Sequence, residues 1–160
     1  MAIGAGLLST FEPGTGHSKW IGYQVIFGMG VGLGMQQPMI AVQTVLELKD
    51  VPTGTAVVVF VQSLGGALFV SVSQSVFQNK LVSSLKELVP QVDPNVVLAT
   101  GATSIQKTFS KYIVGVTQSY SEALTNAFYV AVAMAAISTI GAVFMEWKSV
   151  KGKKIEMAAA

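Results

Sequence analysis

The side chains in this sequence with the most chemical scope are amides and glycines, not acids, thiols or imidazoles. His17 is the sole histidine and cysteine is absent, so neither a metal-ligand set nor a nucleophile paired with a base can be assembled. His17 also lies in a glycine-bearing stretch, Glu12 to Lys19, where a solvated loop residue is expected. The reading is of a protein that is not an enzyme and uses no cofactor or metal. The run Gly28-Met-Gly30-Val-Gly32-Leu-Gly34 invites comparison with a dinucleotide fingerprint. It fails, because the third glycine would fall at Leu33 or Met35 and no strand precedes it. Glycines four apart (28 with 32, 30 with 34) instead form two shallow grooves on a helix, suited to close helix packing or to flexibility during conformational change.

Polar but uncharged side chains punctuate the same region: Gln24, Gln36, Gln37 and Gln43, then Gln62, Ser63, Ser71, Ser73 and Gln74. In hydrocarbon each amide needs a partner, so these faces point to other helices or to a wet cavity. Interhelical hydrogen bonding and a cavity-lining role are both open for Gln36, Gln37 and Gln62. Pro38 removes a backbone donor just after the glutamine pair and is expected to kink its helix. No acidic residue falls inside the long apolar runs, so the carboxylate a proton-driven transporter uses is not expected in this chain.

These residues need elements to hold them, and the charge pattern supplies them. Of 160 residues, 51% are hydrophobic and 11% charged, with mean hydropathy +0.58; soluble domains carry about 25% charged residues. Charge-free runs of 27, 29 and 23 residues extend from Trp20 to Leu46, Val51 to Asn79 and Ala123 to Met145. Each exceeds the roughly 20 residues of helix that cross a bilayer core. An all-α, multi-pass transmembrane bundle follows, with spans at 20–46, 54–78 and 123–145. Residues 1–11 are too few to cross and read as the end of a truncated transmembrane helix. A soluble lipid-binding bundle is disfavoured, because three such runs would have to be hidden within 160 residues.

Between the spans lie a linker at 12–19, a short turn at 47–53, a loop at 79–122 and a tail at 146–160. Trp20, Tyr23, Tyr120 and Trp147 flank the spans as interfacial aromatics do. Pro52 suits the first turn of the second span. In the loop, Leu81, Leu85 and Leu88 share a face of a short helix stopped by Pro90. Asp93 and Pro94 open another that Gly101 ends, and Ile105, Phe109, Tyr112 and Ile113 share a face until Gly115. Thr103 to Gln106 and Ser119 to Glu122 have capping-box spacing.

All ten basic residues are lysine, and net charge is +2; nucleic acid is therefore not an expected partner. Four lysines crowd the 13 residues after Trp147, against four in the 43 residues from Lys80 to Glu122. That density favours a cytoplasmic tail, with the 12–19 linker and the long loop outside.

Taken in order, Trp20-Ile-Gly-Tyr-Gln24, the glycine run to Gln36-Gln37-Pro38, Asp50-Val-Pro-Thr-Gly-Thr-Ala56, Gln62-Ser-Leu-Gly-Gly-Ala67 and Glu146-Trp-Lys-Ser-Val-Lys-Gly-Lys-Lys154 resemble the C-terminal end of fungal major facilitator superfamily transporters. The likeness is to the fourteen-span drug:proton antiporter group, which includes toxin efflux pumps. It implies that the three spans are the last of fourteen, part of a C-terminal half in a plasma-membrane exporter. The first two would border the central cavity and the third would be peripheral. Gln36, Gln37 and Gln62 become candidates for contact with a small organic substrate in the full-length parent. The implied partners are the lipid bilayer and the missing N-terminal helices, where the acidic or arginine residues that handle protons would lie. The alternative is a small stand-alone membrane protein without transport activity, a scaffold or inhibitory partner of a full transporter acting through its glycine faces.

Overall fold

In hydrocarbon the backbone finds its hydrogen bonds only within a helix or a closed barrel, and the described parts of the apolar runs are predominantly helical. The computed structural model describes residues 1–12 and 14–144. Pro13 and residues 145–160, including Trp147 and the four tail lysines, lie outside the described residues. The elements are α1 (Ala2–Leu8), α2 (His17–Met35), α3 (Gln37–Val45), α4 (Val51–Leu88), α5 (Pro94–Thr100), α6 (Ile105–Thr108), a 3₁₀ turn (Ser110–Tyr112) and α7 (Ile113–Val143), with no strand among the described residues. Among the described residues, three stretches are long and apolar enough to cross a membrane: His17–Val45, Val51–Leu88 and Ser110–Val143.

Two of these outrun the bilayer. The 38 residues of α4 and 31 of α7 correspond to about 57 and 46 Å of helix, against a core of about 30 Å. The helix expected to be separate at Leu81 to Leu88 is thus the far end of α4, and α7 begins ten residues before Ala123. The cause is local: no glycine or proline interrupts the chain between Gly66 and Pro90 or between Gly115 and Gly141. Nothing ends either helix at the membrane boundary. Gly115 is no stop either; it lies in the first turn of α7, where a Cβ would run into the Val89 side chain.

The tightest packing lies in this extension. Leu81, Leu85, Val89, Val92, Val97, Ile105, Val116 and Ala123 form one buried cluster, with Phe77 and Tyr120 at its membrane side. Those two rings meet edge to face, 5.0 Å between centroids. Asp93 caps α5 by accepting from the Asn95 N–H at 2.9 Å, and Gly101 ends it with φ +69°. The two capping boxes do not form. Ser104, not Thr103, precedes α6 and makes no side-chain cap bond. Ser119 lies inside α7, where its hydroxyl donates back to the Gly115 carbonyl at 2.9 Å.

The membrane segments are more open. α4 packs along α7, α1 against both α2 and α7, and α3 folds back on α4. The α3–α4 turn closes tightly because Gly54 has no side chain to meet Leu46 and Val42. Pro52 opens α4 as expected. Among the described residues α7 contacts both α1 and α4. Its alanines Ala127 and Ala131 line the open space between it and α4. α2 contains no buried residue.

Candidate functional site

Two polar regions interrupt the apolar helices, and the backbone explains the first. A continuous helix would direct the Pro38 nitrogen at the Gly34 carbonyl, but proline has no hydrogen to give. The helix is interrupted at Gln36, and α3 restarts with Pro38 in its first turn. The Gln37 amide donates to the Leu33 carbonyl at 3.2 Å, partnering a backbone acceptor on the other side of the break. Gln36 and Gln37 are both exposed. They stand beside an opening in the backbone ladder.

The glycine ladder of α2 is divided by its surroundings. Gly30 and Gly34 face Met1: its backbone occupies the space a Cβ at Gly30 would need, and its side chain lies in contact range of one at Gly34. Gly28 and Gly32 have nothing within 4 Å of such a Cβ. One groove is filled by the start of this chain and the other is vacant.

The second polar region is on α4. Gln62, Gly66, Phe69, Ser73, Phe77 and Lys80 recur at three- and four-residue spacing and so share one helical face. From Gly66 to Phe77 this face borders a groove against α7 of about 610 Å³, whose polar members include Ser73 and Gln74. Gln62 lies one turn beyond that groove and is exposed. α2 and α4 make no close approach among the described residues, so Gln36 and Gln37 are not brought against Gln62 by direct packing of those two helices. Ser73 and Gln74 belong to the groove in a way their spacing with Gly66 and Phe77 signals.

Where the groove meets the buried cluster, α4 and α7 are tied by polar contacts absent from the sequence reading. The Ser84 hydroxyl, 1% exposed, donates to Glu122 Oε2 at 2.8 Å, and Lys80 Nζ lies 3.7 Å from the same oxygen. Hydrogen bonds to charged acceptors are the stronger kind. Glu122→Ala is expected to cost about 1–3 kcal/mol by leaving the Ser84 hydroxyl buried and unpaired. Lys80→Ala should cost under about 1 kcal/mol, since both ionic partners stay well solvated. Thermal denaturation of the two variants side by side checks the order. Among the described residues no three His, Cys, Asp or Glu side chains gather as metal ligands do.

No family model and no solved structure matches the chain, but curated relatives do. The MFS-type efflux pump MFS1 of Arthroderma benhamiae is 56% identical over 160 residues, 99% of this chain and 30% of its own length. The efflux pump roqT of Penicillium rubens is 51% identical over 152 residues, 94% of this chain and 28% of its length. The MFS acetylaranotin efflux transporter ataA of Aspergillus terreus is 49% identical over 148 residues, 92% of this chain and 33% of its length. The chain spans about 30% of the length of the curated relatives it matches. On this similarity over nearly its whole length, the chain belongs to the fungal major facilitator superfamily efflux transporters and represents a C-terminal portion of one.

Proposed function

We propose that this chain is the C-terminal part of a proton-driven exporter of toxins, drugs or other small organic molecules, working in the plasma membrane with its lysine-rich tail in the cytoplasm. The observation that carries this is the match of nearly the whole chain to efflux pumps at 49–56% identity. The exposed amides support it. Gln36, Gln37 and Gln62 lie on helix faces left open by the described residues, and an amide facing lipid is costly. Those faces turn toward the remaining helices and the substrate path between the two halves. Protons are handled by residues outside this chain, because its charge-free segments carry no carboxylate.

The test uses the full-length transporter. Alanine at Gln36, Gln37 or Gln62 is expected to change resistance to an exported compound by about two- to tenfold, the loss of one hydrogen bond, with protein abundance unchanged. Resistance that falls only in step with abundance would make these residues structural. Collapse of export when the proton gradient is dissipated tests the coupling. A second reading rests on the vacant Gly28 and Gly32 groove: a short membrane protein that pairs with a full transporter through that face. Co-purification of the isolated chain with a transporter, lost in Gly28→Leu with Gly32→Leu, would favour it.

A further inference from the structure

Near the start of α2 and the membrane segment of α7, a cavity of about 500 Å³ opens between α1, α2 and α7. Its volume is that of a small-molecule site, about 300–1,000 Å³. Four aromatic rings wall it: Phe11, Trp20, Phe27 and Phe128. Phe11 is held in place by stacking on Tyr23, 5.7 Å between centroids and 13° between planes. Gln24, Ser121 and Thr125 also line it, and their side chains make no hydrogen bond among the described residues. No charged residue lines it. Lys19 and Glu122, the charges that end the apolar runs of α2 and α7, place it at the level where hydrocarbon gives way to headgroups.

We infer that this pocket binds a flat, uncharged polycyclic molecule whose ring system packs between the aromatic walls and whose single hydroxyl or carbonyl bonds to Gln24 and Thr125. The walls fit flat rings, which gain from offset or edge-on contact with aromatic faces. The pocket offers a phosphate headgroup or an ionised ligand no counter-charge among its lining residues. An unpartnered amide and two hydroxyls at the edge of hydrocarbon match one oxygen at the same depth. Two sources supply that chemistry: a membrane sterol, or an exported polycyclic compound entering from the bilayer.

The experiment uses the full-length transporter in phosphatidylcholine vesicles with a photoreactive, alkyne-bearing sterol as probe. After irradiation, label is expected on peptides containing Phe11 to Phe27 and Ser121 to Phe128. Gln24→Leu, which keeps the volume and removes the amide, should lower labelling about three- to tenfold. Thr125→Phe, which fills the cavity, should abolish it. Unlabelled sterol that displaces the probe while a hydroxylated anthraquinone does not identifies a sterol site; the reverse, or displacement by both, identifies an entry site for exported compounds. Labelling spread evenly over α4 and α7, or unchanged in both variants with monodisperse elution retained, overturns the inference.

Discussion

Leu85→Ala is expected to loosen the cap formed by the far end of α4, α5, α6 and the start of α7 by about 2–5 kcal/mol, the range for truncating a fully buried leucine. Leu85 is 0% exposed and sits with Leu81 and Val97 at the centre of the only tightly buried cluster among the described residues. The surrounding segments are short helices of seven and four residues, which cannot stand without tertiary support. The loss should therefore appear as local opening. Hydrogen exchange in the full-length protein reads it directly: amide protection between Val92 and Ile105 should fall by about 30-fold to several thousand-fold. Leu64→Ala, at a side chain 54% exposed in the membrane segment of the same helix, should leave cap protection unchanged. Equal effects of the two would show that the cap is not an independently packed unit.

Gly4→Ala carries the second large effect. A Cβ at Gly4 would lie 2.6 Å from Phe27 Cα and 2.9 Å from Phe27 N. These are backbone atoms of α2 and cannot rotate away, so α1 must shift. Overpacking of this kind costs about 1–3 kcal/mol. Gly6→Ala, two residues along the same helix with open space around it, should instead be neutral or gain up to about 1 kcal/mol of helix propensity. Heat inactivation of the two variants in native membranes separates them. Because Phe11 follows α1 and Phe27 is the residue struck, Gly4→Ala should also weaken probe binding to the aromatic pocket, whereas Gly6→Ala should not.

The parts of this fold legible in the sequence are those where a single physical constraint dominates. Hydrocarbon demands long charge-free helices, so the runs beginning at Trp20, Val51 and Ala123 marked the membrane segments. Asp93, Pro94 and Gly101 bracketed α5 because each has a specific backbone role. The extensions of α4 and α7 were harder. Lys80, Lys86 and Glu87 suit the wet face of a helix as well as they suit a loop. The deciding signal was phase: Ser73, Phe77, Leu81 and Ser84 continue the α7-facing stripe without a slip, as one unbroken helix requires. Ser119 and Glu122 have the spacing of a local cap, and local spacing is all the sequence displays. The real partner of Glu122, Ser84, lies 38 residues away in the chain. Similarly, the glutamines could be assigned to helices but not to sides. Which face is open depends on packing between segments, and no periodicity encodes it.

The unbroken length of α4 has a mechanical consequence. Its far end is bolted into the cap by Leu81 and Leu85, and its near end leaves the membrane beside the exposed Glu47–Lys49 pair. A rod of about 57 Å tilted by about 10° swings its tip by about 10 Å. Any tilt of α4 within the bilayer would therefore reach the surface enlarged, as a displacement of the cap. A spin label at the exposed Val96 would record any tilt of α4 as a displacement at the surface.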